Sequence, residues 1–232
     1  MLTRGAGRLC PMGQYFEDSP TVARDPDRVE LVVGGRTLVL TTDTGVFSRH
    51  RVDAGTAVLL RKAPPPPESG ALLDLGCGYG PIACALAVQA PAATVWALDV
   101  NERARELTVH NAAANDLPNV VVAAPDDVPP DVRFAALYSN PPVRVGKDAM
   151  YTLVAEWLGR LDPADETKHD LLGAHGAGHA FLVVQRHLGS DSFQQRLQGD
   201  GWVAERLASS KGYRVLAVAG RSLDATTSGT DA

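Results

Sequence analysis

The chain has 232 residues, 45% hydrophobic and 21% charged, so it is long enough for one large domain with a full core and has the balance of a globular protein. No stretch reaches the roughly 18 uncharged apolar residues of a membrane span, and the start lacks the apolar core of a signal peptide, so we expect a cytoplasmic protein. A net charge of −5 argues against a broad basic surface for bare nucleic acid, and three cysteines do not suit a disulfide framework or a zinc site.

The N-terminal region is predicted to be rich in β structure. Residues 29–40 form two short apolar runs around Gly34 and Gly35, which is a strong hairpin pattern. Another apolar run covers residues 56–60, and the prolines at 64–67 then stop any regular element, either as a stiff linker or as a surface turn. We therefore predict an extension over residues 1–67 that packs on the domain that follows it.

From residue 71 onwards, short apolar runs alternate with stretches of helical composition. This alternation predicts an α/β domain with a mostly parallel sheet and helices on both faces. The predicted strands are residues 71–75, 94–99, 120–123, 135–139, 180–185, 202–207 and 213–219. The predicted helices are residues 82–90, 102–115 and 148–161. A seven-stranded domain over residues 68–220 results, followed by a disordered tail over 221–232.

Residues 163–178 are rich in His, Gly and Asp and separate a helix from a strand that a few residues could join. This composition predicts an exposed insertion. The spacing of His169, His175 and His179 fits no common metal site, so we interpret them as solvated loop histidines and expect no metal.

The sequence LLDLGCGYG takes a strand through a glycine-rich turn into a helix. Gly76, Gly78 and Gly80 let backbone amides approach a ligand closely, although a tight turn needs glycine whether or not anything binds. The dinucleotide fingerprint needs its third glycine one place later, where this chain has Pro81, so nicotinamide and flavin cofactors are disfavoured. S-Adenosylmethionine has no pyrophosphate but has a charged amino-acid end, which Asp74 is suitably placed to meet.

Further acids follow the next two strands. The run ATVWALDV closes with Asp99, 25 residues after Asp74, and a carboxylate at a strand end can accept both ribose hydroxyls. After the third strand, in AAPDDVP, either Asp126 or Asp127 is placed to receive the adenine amine. We predict Asp99 and Asp126 as cofactor ligands, with Asp127 as the alternative to Asp126.

The fourth strand runs into Asn140-Pro141-Pro142-Val143. Pro141 restricts Asn140 to an extended conformation, and neither proline has an amide proton, so the turn is rigid and offers mostly acceptors. We predict that the side-chain oxygen of Asn140 and the carbonyl of Pro141 accept the two protons of a planar amine. The nitrogen lone pair then leaves conjugation and faces the methyl sulfonium, and no strong general base is obligatory for this displacement.

With these motifs the chain resembles the class I methyltransferases of the small-domain family, which includes the 16S ribosomal RNA guanine-N2 methyltransferases and their compact relatives. The likeness extends over most of residues 14–219 and rests on QYFED, TDTGVFS, VDAG, DLGCGYG, NPPVRVGK and KGYRVL. It implies a Rossmann-like class I methyltransferase fold, S-adenosylmethionine as cofactor, and a catalytic turn made of Asn140, Pro141 and Pro142. It also implies that Phe47 helps to close the cofactor pocket. The full predicted cofactor-binding set is Asp74, Gly76, Cys77, Gly78, Gly80, Asp99, Val100, Asp126 and Phe47.

Two departures from the family pattern bear on the substrate. Val143 stands where many relatives have an aromatic residue that stacks on the target base, so stacking is weaker or is supplied elsewhere, with Phe47 and Tyr15 as candidates. The best-known rRNA enzymes also have a second, degenerate methyltransferase-like half before the catalytic one, where this chain has the short extension over residues 1–67.

The substrate rim is predicted to comprise Val143, Arg144 and Lys147 beside the catalytic turn. Its basic residues, with Lys211 and Arg214, either contact phosphate or are ordinary solvated charges. The leading hypothesis is an N-methyltransferase that acts on guanine N2 in ribosomal RNA or an assembly intermediate. The alternatives are methylation of a protein glutamine or a small-molecule amine, and a non-catalytic module that binds the cofactor or only borrows the fold. The sequence predicts no membrane partner and leaves the oligomeric state open.

Overall fold

The computed structural model describes residues 22–142, 146–163 and 178–219. Within these ranges the N-terminal hairpin consists of β1 (Asp27–Val33) and β2 (Arg36–Thr42). The strands of the main sheet are β3 (Ala71–Leu75), β4 (Thr94–Leu98), β5 (Val120–Ala123), β6 (Ala136–Ser139), β7 (His179–Gln185), β8 (Val203–Ser210) and β9 (Tyr213–Ala219). The helices are α1 (Ala54–Lys62), α2 (Pro81–Gln89), α3 (Glu102–Ala114), α4 (Lys147–Leu158) and α5 (Ser190–Gly199).

The main sheet has seven strands in the order β5-β4-β3-β6-β7-β9-β8, and only β9 runs against its neighbours. This confirms the predicted α/β fold with a mostly parallel, Rossmann-like sheet. The chain winds outwards from β3 to β5 and then returns to the other side of β3 with β6. In open α/β sheets, ligands bind at the carboxyl ends of the strands where the order reverses in this way. The loops after β3 and β6 meet at that point.

Alternation along each buried strand divides the core between the two faces of the sheet. Leu72 of β3 belongs to the layer that contains α1 and α2, whereas Leu73 and Leu75 belong to the layer that contains α4 and α5. Asp74 therefore lies on the same face as α2, among apolar side chains.

Two helices differ from the sequence predictions. Residues 56–60 were predicted only as an apolar run, and they lie in α1, which begins after Asp53 caps its first amides. Helix α5 was not predicted, because Phe193 and Leu197 are the apolar residues that it buries and the rest of its sequence is polar. Two apolar residues one turn apart give too weak a period to recognise.

Several predictions for the loops have different outcomes. Residues 64–67 form no regular element, and the carbonyl of Pro64 accepts a hydrogen bond from the hydroxyl of Tyr138 in β6 (3.2 Å), so the proline run lies against the sheet. His179 was predicted as a solvated loop residue, and this is wrong: it is the first residue of β7 and is buried. The division of the chain at residue 67 stays a prediction. Several predictions concern positions outside the described residues: those for Tyr15, Val143, Arg144, His169, His175, nearly all of the insertion over 163–178, and the tail 221–232.

A membrane-spanning helix and a metal-binding cluster are both absent from the described residues. No helix among them is long and apolar enough to cross a membrane. Likewise, residues 22–142, 146–163 and 178–219 contain no cluster of three His, Cys, Asp or Glu side chains that suits a metal ion.

Two asparagines, one in α3 and one directly after it, attach the hairpin to the main domain. The side-chain amide of Asn111 accepts from the Thr41 amide (2.7 Å) and donates to the Thr41 carbonyl (2.9 Å). Asn115 makes the same pair of hydrogen bonds with Val39 (3.2 and 3.0 Å). Four residues of a helix advance about 6 Å and two residues of a strand about 6.6 Å, so the two spacings match. The asparagines thus act as a substitute for a neighbouring strand along β2.

We expect Asn111→Ala to lower the free energy of unfolding by about 2 kcal/mol, because the amide and carbonyl of the half-buried Thr41 lose the buried side chain that pairs with both of them. Asn111 also donates to the Tyr79 carbonyl (2.8 Å), a buried contact that is lost as well. The matched control is Asn115→Ala, for which water can reach the backbone groups of the exposed Val39 and the loss should stay below about 1 kcal/mol. Urea denaturation followed by circular dichroism measures both, and equal losses would contradict the assignment of Asn111 as the main attachment.

Candidate functional site

The glycine-rich turn after β3 forms one wall of the site. Gly78 has a φ of +57° and an added Cβ would meet nothing within 4 Å, so the backbone conformation and not crowding requires glycine there. Gly80 has a φ of +86°, and a Cβ there would lie 2.8 Å from Cγ2 of Thr108 in α3. The amide of Gly76 donates to the Leu98 carbonyl (2.8 Å), which holds the turn against the end of β4. Open space therefore adjoins the backbone of the turn at Gly78.

Asp99 follows β4 and connects the glycine turn to the next helix. Its Oδ2 accepts from the Gly78 amide (2.9 Å) and its Oδ1 from the Asn101 amide (2.9 Å). Burial raises the pKa of this carboxyl above its ordinary value. Val100 is half-buried beside it, and its carbonyl accepts from Arg105 (2.7 Å). The structure thus brings Asp99 and the glycine turn together, as the sequence predicted.

Asp74 is fully buried below the turn. Its Oδ2 accepts from the Ala83 amide of α2 (2.9 Å), whereas its Oδ1 has no hydrogen-bond partner among the described residues. Burial, and secondarily the charge of Asp99, raise the pKa of Asp74 to about 8. An unsatisfied carboxyl oxygen under a glycine turn, with the Asp99 carboxylate at the adjacent strand end, fits a polar, positively charged ligand such as S-adenosylmethionine. Direct contact of Asp74 with the cofactor stays a prediction.

The remaining predicted cofactor residues surround this wall. Cys77 is buried, its Sγ lies 3.5 Å from Oγ1 of Thr108, and burial raises the pKa of its thiol well above the ordinary range. Phe47 is 57% exposed in a loop whose Gly45 carbonyl accepts from Asn101 (3.0 Å). That contact puts the loop beside the end of β4.

Asp126 and Asp127 lie in a short 3-10 helix directly after β5. Both side chains are exposed, so the choice between them for the adenine amine stays open.

The predicted catalytic turn lies against the glycine-rich turn. An added Cβ on Gly76 would lie 3.8 Å from Cδ of Pro142, so the two turns are in contact. Ser139, the last residue of β6, donates to the Leu75 carbonyl of β3 (2.6 Å) and fixes the strand end. The half-buried Asn140 follows, and its Nδ2 donates to residues of the N-terminal extension.

Asp53 and Thr56 are the partners of Asn140, and sequence reasoning assigned neither a role. The Asn140 Nδ2 donates to Asp53 Oδ2 (2.9 Å) and to Thr56 Oγ1 (3.1 Å). Asp53 also caps α1 through the amides of Gly55 and Thr56. An Asp immediately before a helix is a capping pattern that could have revealed α1, but nothing local indicates the contact with Asn140.

Tyr213 provides an aromatic ring next to the catalytic turn. Its Cε1 would lie 2.8 Å from a Cβ on Gly55, and the same Cβ would lie 2.9 Å from Asp53 Oδ2. Burial, and secondarily the charge of Asp53, raise the pKa of Tyr213 above its ordinary value. The half-buried ring therefore packs beside Asp53, close to the side chain of Asn140.

Three residues of the predicted basic rim lie among the described residues. Lys147 begins α4, is exposed, and has its Nζ 2.9 Å from the position of a Cβ on Gly189. Lys211 is exposed in the turn before β9. Arg214, in contrast, has a side chain that is only 12% exposed and forms an ion pair with Asp191. That ion pair argues against a phosphate contact by Arg214.

Comparison with known proteins gives consistent matches. The family model described as "Methyltransferase small domain" matches residues 37–217. A Bacillus subtilis protein, described as "Uncharacterized protein YbxB", is 30% identical over 205 residues, which cover 87% of this chain and 96% of that protein. The Pseudomonas aeruginosa "Ribosomal RNA small subunit methyltransferase C" is 34% identical over 214 residues, which cover 85% of this chain and 60% of that protein.

A solved structure, the T. thermophilus 16S rRNA N2 methyltransferase RsmC in complex with AdoMet and guanosine, aligns with a TM-score of 0.66 at 23% identity. The alignment covers 87% of this chain and 52% of that one. This chain therefore matches nearly the full length of the Bacillus protein but little more than half of the two rRNA methyltransferases.

Proposed function

Because the chain belongs to the methyltransferase small domain family, we propose that it methylates the N2 amine of guanine in ribosomal RNA. The enzyme class itself is an S-adenosylmethionine-dependent methyltransferase. The finer proposal is supported by the orientation of Asn140 at the end of β6. Both protons of its amide are donated to the protein, and its Oδ1 has no hydrogen-bond partner among the described residues. That oxygen remains available to a substrate amine.

In the proposed reaction the chain binds and orients an amine. When bound, S-adenosylmethionine supplies an electrophilic methyl group on a sulfonium. The glycine turn, Asp74 and Asp99 hold that cofactor at the carboxyl ends of β3 and β4. The Asn140 side-chain oxygen and the Pro141 carbonyl accept hydrogen bonds from the two N–H groups of the amine, which turns the nitrogen lone pair towards the methyl group. The nitrogen gains the methyl group as the bond from methyl to sulfur breaks, which would leave a neutral thioether, and the methylated nitrogen loses one proton to water. Acceptors fixed before the reaction lower its barrier because they need no reorganisation as positive charge develops on nitrogen.

RNA is proposed as the substrate from the relatives and from the surface. The Pseudomonas and Thermus proteins are described as rRNA methyltransferases, and the latter as acting at N2 with guanosine bound. The exposed Lys147 and Lys211 offer phosphate contacts near the carboxyl ends of the strands. A net charge of −5 gives little general affinity for bare RNA, so an assembly intermediate that supplies its own basic groups is a suitable form of the substrate. A ribosomal substrate would place the reaction in the cytoplasm.

The experiment is transfer of labelled methyl from S-adenosylmethionine to separated RNA, protein and small-molecule pools from cells that lack the enzyme. The RNA pool includes both free rRNA and small ribosomal subunits, and digestion to nucleosides identifies the methylated base. Label recovered as N2-methylguanine supports the proposal. Label in protein or in small molecules would overturn the substrate and favour the glutamine or small-molecule alternative. Cofactor binding without transfer to any pool would overturn the proposed reaction and favour a non-catalytic module.

A further inference from the structure

The extension before the catalytic domain holds the side chain of Asn140. We propose that Asp53 and Thr56 are positioning residues: they fix the amide of Asn140 with its oxygen towards the substrate amine and make that oxygen a stronger acceptor. The inference rests on the proposed function in that it assumes an amine substrate at Asn140. It gives a part in the reaction to the start of α1, which belongs neither to the glycine-rich turn nor to the turn at Asn140.

The contacts use the whole donor capacity of the Asn140 amide. One Nδ2 proton is donated to Asp53 Oδ2 at 2.9 Å and the other to Thr56 Oγ1 at 3.1 Å. An amide side chain has two donors on nitrogen, so none remains for other partners. The side-chain oxygen is thus the part of Asn140 that is left for a ligand.

The chemistry of Asp53 determines which way the amide faces. An ionised carboxylate only accepts hydrogen bonds, so the NH₂ group must be the part of Asn140 that faces it. A flipped amide would bring its oxygen to within hydrogen-bond distance of Asp53 Oδ2, and the two acceptors would repel each other. Asp53 therefore selects the orientation that leaves the Asn140 oxygen on the far side of the amide.

The carboxylate of Asp53 is itself held in place. The same oxygen that binds Asn140 accepts from the Gly55 amide (2.7 Å) and the Thr56 amide (3.2 Å) at the start of α1. The ring of Tyr213 covers Gly55 so closely that a methyl group there would lie 2.8 Å from Cε1. The hydrogen bonds at the start of α1 and the packing of Tyr213 on Gly55 therefore hold the Asp53 carboxylate in one position.

The charge of Asp53 also affects the acceptor strength of Asn140. Hydrogen bonds with an ionised partner are roughly twice as strong as neutral ones, and linked hydrogen bonds polarise one another. Donation from Nδ2 to a carboxylate shifts electron density towards the amide oxygen. The amine nitrogen becomes positively charged as it takes the methyl group, so a more negative Asn140 oxygen favours the transition state over the ground state.

Four variants separate positioning from structural support. Asp53→Ser keeps a good helix cap but has an oxygen too short to reach Asn140, whereas Asp53→Asn keeps a long acceptor and removes the charge. Thr56→Val keeps the shape of a buried residue and removes the hydroxyl, and Thr56→Ser keeps the hydroxyl. We expect kcat to fall about 100-fold in Asp53→Ser and about 10-fold in Asp53→Asn and Thr56→Val, with a smaller loss in Thr56→Ser.

The Michaelis constant of the substrate and the dissociation constant of S-adenosylmethionine should change by less than about threefold in all four, because the lost contact acts on the transition state. Activity is measured on whichever pool the unaltered enzyme labels. If kcat of Asp53→Ser equals that of Asp53→Asn, or if the loss lies in the Michaelis constant alone, the positioning role is overturned.

A second readout needs no substrate. The ¹⁵N side-chain amide resonance of Asn140, assigned by its absence in Asn140→Ala, should exchange slowly with solvent in the unaltered protein and quickly in Asp53→Ser. Slow exchange that persists in Asp53→Ser would overturn the proposal. If the unaltered enzyme labels no pool, the proposed function fails, and this resonance still decides whether Asp53 holds Asn140.

Discussion

Asn140→Ala is expected to lower kcat by about 100- to 1000-fold, the usual effect of removing one preorganised partner of the reacting group. The substitution removes the side-chain acceptor and leaves the Pro141 carbonyl as the remaining acceptor in the proposed mechanism. Cofactor binding should persist, because the glycine turn and Asp99 are held by their own contacts with β4 and α3. Steady-state kinetics and calorimetric titration with S-adenosylmethionine measure the two effects separately.

Asn140→Asp is the informative companion to that variant. It places a second carboxylate at hydrogen-bond distance from Asp53, where Asn140 now donates. Two carboxylates that close repel each other strongly, so the new side chain should turn away from Asp53. We expect a loss of activity close to that of Asn140→Ala. An Asn140→Asp enzyme with nearly full activity would show that the NH₂ group facing Asp53 has no role.

Much of the fold could be predicted because its information is local. The strands from β3 to β7 are short apolar runs bounded by Gly, Asp or Asn. This is the sequence pattern that a buried parallel strand has. The strands β3, β5 and β9 agree with the predicted ranges, and the other strands of the main sheet differ by a few residues at their ends. The glycine turn, Asp99 and Asn140 could be recognised for the same reason, because each directly follows such a strand.

The part that could not be predicted depends on distant contacts. Asp53 and Asn140 are 87 residues apart, and Asn111 and Asn115 reach β2 across 70 and 76 residues. No period or spacing in the sequence indicates such pairs. The burial of His179 was missed because β7 begins one residue earlier than predicted, at the edge of a segment rich in polar residues.

The buried Asp74 predicts a strong pH dependence of stability. Its pKa is about 8 in the folded chain against 3.8 for an unperturbed carboxyl. Between these values the folded chain keeps a proton that the unfolded chain has released, so the free energy of unfolding falls as pH rises through this window. The slope is about 1.4 kcal/mol per pH unit, and the cost at pH 7 relative to pH below 4 is about 4 kcal/mol.

Asp74→Asn should remove this dependence. Asparagine keeps an oxygen for the Ala83 amide and has no proton to lose, so its free energy of unfolding gains no contribution from titration at this position. We expect the difference in unfolding free energy between Asp74→Asn and the unaltered chain to shift in favour of the variant by about 4 kcal/mol between pH 5 and pH 8. Urea denaturation at several pH values measures this difference, and the contributions of other titrating groups cancel because both chains have them.

The new NH₂ group of Asp74→Asn replaces an oxygen without a partner, which moves the whole curve of unfolding free energy against pH by a constant but leaves its slope unchanged. Parallel curves for the two chains would mean that Asp74 is ionised in the folded protein at neutral pH, and that a cation or water at its Oδ1 stabilises the charge.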